Sequence, residues 1–182
     1  MDIVEQCVES YRRLKNLKLA GAEIGIPWQT VYIHLKTAGE PVTGDKARYG
    51  SDSDRLAARA ERLFAELVPE AVNMNGKKFQ AKMDFQVGGW GVDVKASRLN
   101  TSNRNSKTKR WAFGVKKQES VAAFFVCFCM ADDDSLQHVL LIPGEIARTY
   151  QTISAAQSGS KWLDYKVEPD ELAPFFENLL AA

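Results

Sequence analysis

The segment Lys82-Met83-Asp84-Phe85-Gln86-Val87-Gly88-Gly89-Trp90-Gly91-Val92-Asp93-Val94-Lys95 sets the terms for the whole chain. Two alternating runs flank a Gly-Gly pair, which reads as a β-hairpin because either glycine can take positive φ without a Cβ clash. With Gly88 and Gly89 as a two-residue loop, Val87 pairs with Trp90 and Asp84 falls opposite Asp93. One face then carries Met83, Phe85, Val87, Trp90, Val92 and Val94. The other carries Lys82, Asp84, Gln86, Gly91, Asp93 and Lys95.

Directly opposed residues have Cβ atoms about 5 Å apart, where like charges repel. Facing carboxylates make sense if a cation sits between them, and hard oxygen ligands suit Mg²⁺ or Mn²⁺. Lys95 lies on the same face, about 6–7 Å along from Asp93. Its ammonium can orient a water or offset charge on a phosphorane-like transition state. The competing reading is a solvated polar face of a half-buried hairpin, and an Asp-x-Lys spacing alone does not separate the two.

Around this hairpin the chain has 182 residues, of which 45% are hydrophobic, enough for one moderate domain and a small appendage. The formal net charge of +1 conceals an uneven distribution. Arg98, Arg104, Lys107, Lys109, Arg110, Lys116 and Lys117 fall in an acid-free stretch, whereas acids prevail after Glu119. A basic patch of this kind suits double-stranded DNA. Three cysteines cannot all pair within one chain, and Cys127 and Cys129 share a face of an apolar strand, so a reduced, cytoplasmic protein is expected. Charges in the first helix argue against a signal peptide, and no apolar run is long enough for a bilayer. His34 and His138, far apart in sequence, argue against zinc and against histidine-centred nuclease motifs.

Upstream, Ile3–Asn16 and Leu17–Ile24 read as helices, and Gly25-Ile26-Pro27 breaks the chain before a third helix running to about Thr37. Small Gly21, turn-forming Gly25 and β-branched Val31 have the spacing of a helix-turn-helix. Residues 19–42 resemble that element of many DNA-binding proteins. On this reading Trp28, Gln29, Tyr32, Ile33 and Lys36 project outward, with Gln29 at adenine edges and Tyr32 and Lys36 at phosphates. A three-helix scaffold in which Trp28 and Tyr32 simply pack is the alternative.

Residues 41–53 read as a linker between a domain at 1–40 and another at 54–182; its Lys46 and Arg48 either track a DNA backbone or belong to a solvated tether. A helix follows at Asp54–Val68, capped by Ser51 or Ser53, with Glu61 at the edge of its apolar stripe. After the hairpin, Ser97–Lys109 is expected as a basic loop, Arg110–Val115 as a strand, and Lys116–Val121 as a short helix. Phe124–Met130 is expected as a strand buried on both faces, Asp132-Asp133-Asp134 as a solvated turn, and His138–Ile142 as a further strand. A last helix is expected near Glu171–Leu180.

A helix bearing Glu61, then Asp84 and Asp93-Val94-Lys95 on a hairpin, then further strands: this order resembles the PD-(D/E)xK nuclease superfamily over residues 53–143. Met83 stands where the name-giving motif has proline, and Asp93 where glutamate is common. Within the superfamily the strand ending Leu141-Ile142-Pro143 resembles phage- and intron-encoded homing endonucleases. The resemblance implies an α+β fold with a restriction-endonuclease-like core, a mixed central sheet flanked by helices, behind the helix-turn-helix domain. It implies Asp84 and Asp93 as metal ligands, Glu61 as a group that binds the metal through water or tunes it, and Lys95 as the group orienting the attacking water. The expected protein is a Mg²⁺-dependent, sequence-specific DNA endonuclease acting as a homodimer, with Mn²⁺ able to substitute. A restriction or repair and recombination nuclease is the nearest alternative. A non-catalytic DNA-binding regulator is the alternative from another class.

Overall fold

The structure, a computed structural model, describes residues 2–43, 50–75, 82–101, 107–115 and 121–181. It divides into two compact units, one of Met1–Arg55 with Met74–Ala81 and one of Leu56–Asn73 with Lys82–Ala182.

The first unit holds helices α1 (Ile3–Leu14), α2 (Leu17–Ile24) and α3 (Trp28–Thr37). Local chemistry sets their ends. Asp2 and Glu5 form a reciprocal cap on α1, and the Asn16 side chain accepts the Lys18 and Leu19 N–H groups at 3.0 and 3.1 Å. Gly25 closes α2 at φ +82°, a conformation that favours glycine. A Cβ on Gly21 would stand 2.5 Å from the Ile26 carbonyl oxygen, so the turn's backbone can lie against α2 only over a glycine. Cys7, Tyr11, Ala20, Val31 and Leu35 form the unit's core.

This unit extends beyond residue 40, where the sequence suggested a linker. Glu40 is only 6% exposed and accepts Arg12 at 2.6 Å. The Thr43 N–H donates to the Tyr11 hydroxyl at 2.9 Å, which in turn donates to the Thr43 carbonyl. Residues 40–43 are thus fastened to α1. Helix α4 (Asp52–Leu67) begins two residues earlier than expected; the Ser51 hydroxyl accepts the Asp54 N–H at 3.2 Å while the Asp54 carboxylate accepts the Ser51 N–H at 3.0 Å.

The second unit is a mixed α and β structure with a mostly antiparallel central sheet. Its strands are β1 (Val72–Asn73), β2 (Phe85–Val87), β3 (Trp90–Arg98), β4 (Asn100–Thr101), β5 (Lys109–Gly114), β6 (Phe124–Met130), β7 (Leu136–Pro143), β8 (Thr152–Ala156) and β9 (Lys166–Val167). A short helix, α5 (Gly144–Ala147), follows β7, and α6 (Leu172–Ala181) ends the described chain. The central sheet runs β1-β2-β3-β6-β7-β9, with β3 and β6 parallel and the other pairs antiparallel. A second sheet runs β4-β5-β8.

Strand β6 shows why the hydrophobic run is continuous. Val126, Phe128 and Met130 enter a core shared with Leu56, Ala60 and Phe64 of α4 and Leu172 and Phe176 of α6. Phe125, Cys127 and Cys129 enter the opposite core, with Trp111 and Phe113 of β5 and Ile153 and Ala155 of β8. One face of the central sheet is therefore covered by helices and the other by the small sheet. The Trp111 indole N–H donates to the Met130 carbonyl at 2.8 Å and ties the sheets together.

The expected loop at 97–109 is partly strand. Ser97 and Arg98 finish β3, and Asn100 and Thr101 pair with Arg110 and Lys109. The short helix expected at 116–121 lies almost entirely outside the described residues.

Candidate functional site

The hairpin forms in the expected register: Val87 pairs with Trp90, Gln86 with Gly91 and Phe85 with Val92. Gly88 takes φ +58°. Positive φ at the first of two turn residues is the geometry of a type II′ hairpin, so only this glycine uses its freedom.

The ladder stops at Phe85, and here the structure departs from the sequence. Asp84 does not continue it opposite Asp93. Its N–H donates to the Val92 carbonyl at 3.1 Å, one step out of register, and its carboxylate Oδ2 accepts the Val94 N–H at 2.8 Å. A side chain has replaced the backbone acceptor that a continued strand would have offered. The slip also moves Met83, whose sulfur lies 2.6 Å from where a Cβ on Gly91 would be. Gly91 alternates with Val92 and shares its face with Asp93, so Met83 covers the polar face rather than the apolar one. A glycine inside a strand is the sequence signal for such a close approach.

Asp93 is 8% exposed, and its Oδ2 lies 3.6 Å from the Lys95 ammonium. Both alternate with Val92 and Val94, which face α4, and so belong to the side covered by the small sheet. Across the parallel ladder Asp93, Lys95 and Ser97 pair with Phe125, Cys127 and Cys129. A buried carboxylate beside one half-buried ammonium is costly to place unless hydrogen bonds or cations compensate it. Asp84 reaches the same spot through the peptide that joins Asp93 to Val94.

Ser97, which the sequence did not mark, continues this row. Its hydroxyl donates to the Arg98 carbonyl at 2.9 Å and accepts the Ala112 N–H at 3.0 Å, tethering β5 to β3. The neighbouring cysteines are buried, which pushes the Cys127 thiol far up, and that of Cys129 to about 12.

Glu61 is half-buried on α4, whose Ala60 and Phe64 pack on the Val92–Val94 face. The structure ties Asp84 to the peptide that follows Asp93 and brings Lys95 to 3.6 Å from Asp93. Among the described residues no three Asp, Glu, His or Cys side chains group as a metal site.

On the first unit, Trp28 (41%), Tyr32 (42%) and Ile33 (61%) are exposed, as are Gln29 and Lys36. Trp28 and Tyr32 are therefore not simply packed. Of the basic residues, Lys107 and Lys109 are exposed and Arg110 half-buried. Arg98 is already engaged: two of its guanidinium nitrogens bind the Asp134 carboxylate, one at 2.9 Å. Lys46, Arg48 and Arg104 lie outside the described residues. The turn expected to be solvated holds a structural clamp instead, since Asp134 also lies 3.6 Å from Arg59.

Among the described residues no helix is long and apolar enough to cross a membrane. No known family model matches this chain, and no curated protein matches it either.

Proposed function

We propose that the protein is a Mg²⁺-dependent DNA endonuclease, its chemistry carried by Asp84, Asp93 and Lys95 and its site preference by α3. One observation carries the reading: where the β2–β3 ladder breaks, a buried aspartate has a lysine 3.6 Å from it, and a second aspartate leaves its strand to accept the N–H of the residue between them. Mg²⁺ is commonly held by one or two carboxylates, with water and substrate phosphate completing its shell. The donor set of Asp84 and Asp93 fits that pattern.

These two residues would hold the cation, which when bound supplies Lewis acidity and a water of lowered pKa. The Val94 N–H fixes the Asp84 carboxylate, so little reorganisation is needed to present it. Lys95 sets its side-chain nitrogen 3.6 Å from Asp93, where it can donate to an attacking water and offset charge building on the phosphate. Ser97 positions β3 against β5 without entering the chemistry. Glu61 would act on the site only from the α4 side, through water. One such site cuts one strand, so cleavage of both strands is expected of a homodimer. The exposed α3, without a single acidic residue, supports binding in a major groove.

Supercoiled plasmid incubated with the protein tests the reading. Nicking should appear with Mg²⁺ or Mn²⁺ and vanish with chelator or with Asp93→Asn. Metal-independent nicking, or an equally active Asp93→Asn, would sink it. Tight binding without cleavage would favour a regulator.

A further inference from the structure

Helix α3 carries an apolar side chain where the fold has no use for one. Val31 and Leu35 are buried in the unit's core. At about 100° per residue, Ile33 points roughly opposite to their mean direction. It is 61% exposed, more than any other large hydrophobic residue among those described. Its neighbours on this outer row, Gln29 one turn before and Lys36 and Thr37 one turn after, are polar and exposed. Trp28 and Tyr32 lie nearer the core. Ile33 is thus the most exposed apolar side chain on an acid-free helix, flanked along its own row by polar residues.

We infer that Ile33 reads the C5-methyl group of a thymine, with Gln29 directed at an adenine on an adjacent base pair. This rests on the DNA-binding half of the reading above and not on its cleavage chemistry. Polyanionic DNA suits a helix with Lys36 and no acid, and the thymine methyl is the prominent apolar group in a major groove otherwise lined by donors and acceptors. Glutamine is the complementary reader of adenine, whose N6 and N7 it can engage together. The residue furthest from the core is the one a groove-seated helix pushes deepest.

Uracil differs from thymine in lacking this methyl, which makes the test specific. Full-length protein in Ca²⁺ would select duplexes from a randomised library, and the enriched duplex would be remade with each thymine replaced in turn by deoxyuridine. At one position the replacement should weaken wild-type binding about three- to fivefold, the worth of one buried methyl. Ile33→Ala, at an exposed helical position, should fold normally and bind both duplexes alike. Gln29→Ala should retain the thymine preference and lose discrimination at a neighbouring pair. If no replacement matters to the wild type, or if Ile33→Ala keeps the preference, the assignment is wrong. Failure to enrich any duplex would overturn it together with DNA binding by α3. Loss of nicking with an intact methyl preference would instead remove the nuclease reading alone.

Discussion

Two groups of aspartates in the β-sheet unit invite comparison, one at the ladder break and one in the turn between β6 and β7. In the turn, local geometry accounts for each acid. Asp133 accepts the Ser135 N–H at 2.9 Å, Asp134 binds Arg98 and lies 3.6 Å from Arg59, and exposed Asp132 stands 3.5 Å from Lys109. These interactions fix a chain reversal, in which Asp134 itself takes φ +65°. At the ladder break the arrangement is inverted. Asp93 is buried on a rigid strand that would pair as well with any β-former at that position, and Asp84 leaves its own strand to lie against the next. The turn spends its charges on holding shape, whereas the break spends shape on holding charges. A polar cluster that costs regular structure is a better candidate for chemistry than one that creates it.

The largest expected difference is catalytic. Asp84→Asn, Asp93→Asn or Lys95→Ala should lower the nicking rate by at least about a hundredfold, with DNA retention in Ca²⁺ unchanged. The same assay on Asp134→Ala should give near wild-type rates per folded molecule. Equal loss in both groups would erase the distinction.

In stability the order reverses. Asp134→Ala removes charge-assisted hydrogen bonds to Arg98 and places a Cβ-bearing residue without a local acceptor at positive φ. It should destabilise the fold by about 2 kcal/mol in denaturant titrations. Asp93→Asn should change stability by under about 1 kcal/mol in metal-free buffer, because it removes a buried charge along with its attraction to Lys95. A larger loss at Asp93 than at Asp134 would mark the ladder break as structural.

The turn should also leave a signature in acid. Hydrogen bonding to Arg98 holds the Asp134 carboxyl below its ordinary value of 3.8, against an opposing effect of burial. The unfolded chain therefore takes up this proton first. The resulting stability is fully present above the ordinary value and is lost as pH falls through the lowered one. Melting curves of wild type and Asp134→Ala should converge as pH falls below the ordinary carboxyl value and through the lowered one. Parallel curves would show that Arg98 does not hold this carboxylate.

The smallest effect concerns Lys109, whose pairing with Asp132 is exposed and hence weak. It can exchange that partner for a phosphate. Neutralising Lys107, Lys109 and Arg110 together should reduce the salt dependence of binding by about one log-log unit for each phosphate no longer neutralised. An unaltered slope would place DNA on another surface.

Much of this is legible along the chain itself. Strict alternation around Gly88-Gly89 dictates a hairpin because strand side chains alternate with period two. The seven-residue apolar run Phe124–Met130 announces a strand with cores on both sides. Gly21, Gly25 and the Val31–Leu35 stripe prescribe three short helices with a tight turn, since only glycine lets backbone lie so close. Candidate residues Asp84, Asp93 and Lys95 follow from charge placed where a sheet has no use for it. What the sequence could not supply were facts that depend on partners remote in the chain. The ladder ends at Phe85 because the Asp84 carboxylate competes for an N–H ten residues away, and no local pattern encodes that exchange. Arg98 reads as a DNA ligand until Asp134, thirty-six residues on, proves close enough to bind it. Residues 40–43 read as linker because the hydroxyl of Tyr11 and the guanidinium of Arg12 that fasten them lie on α1. Local propensity and periodicity are short-range and written along the chain; the pairing of buried polar groups is settled only when folding brings distant donors and acceptors within hydrogen-bonding distance.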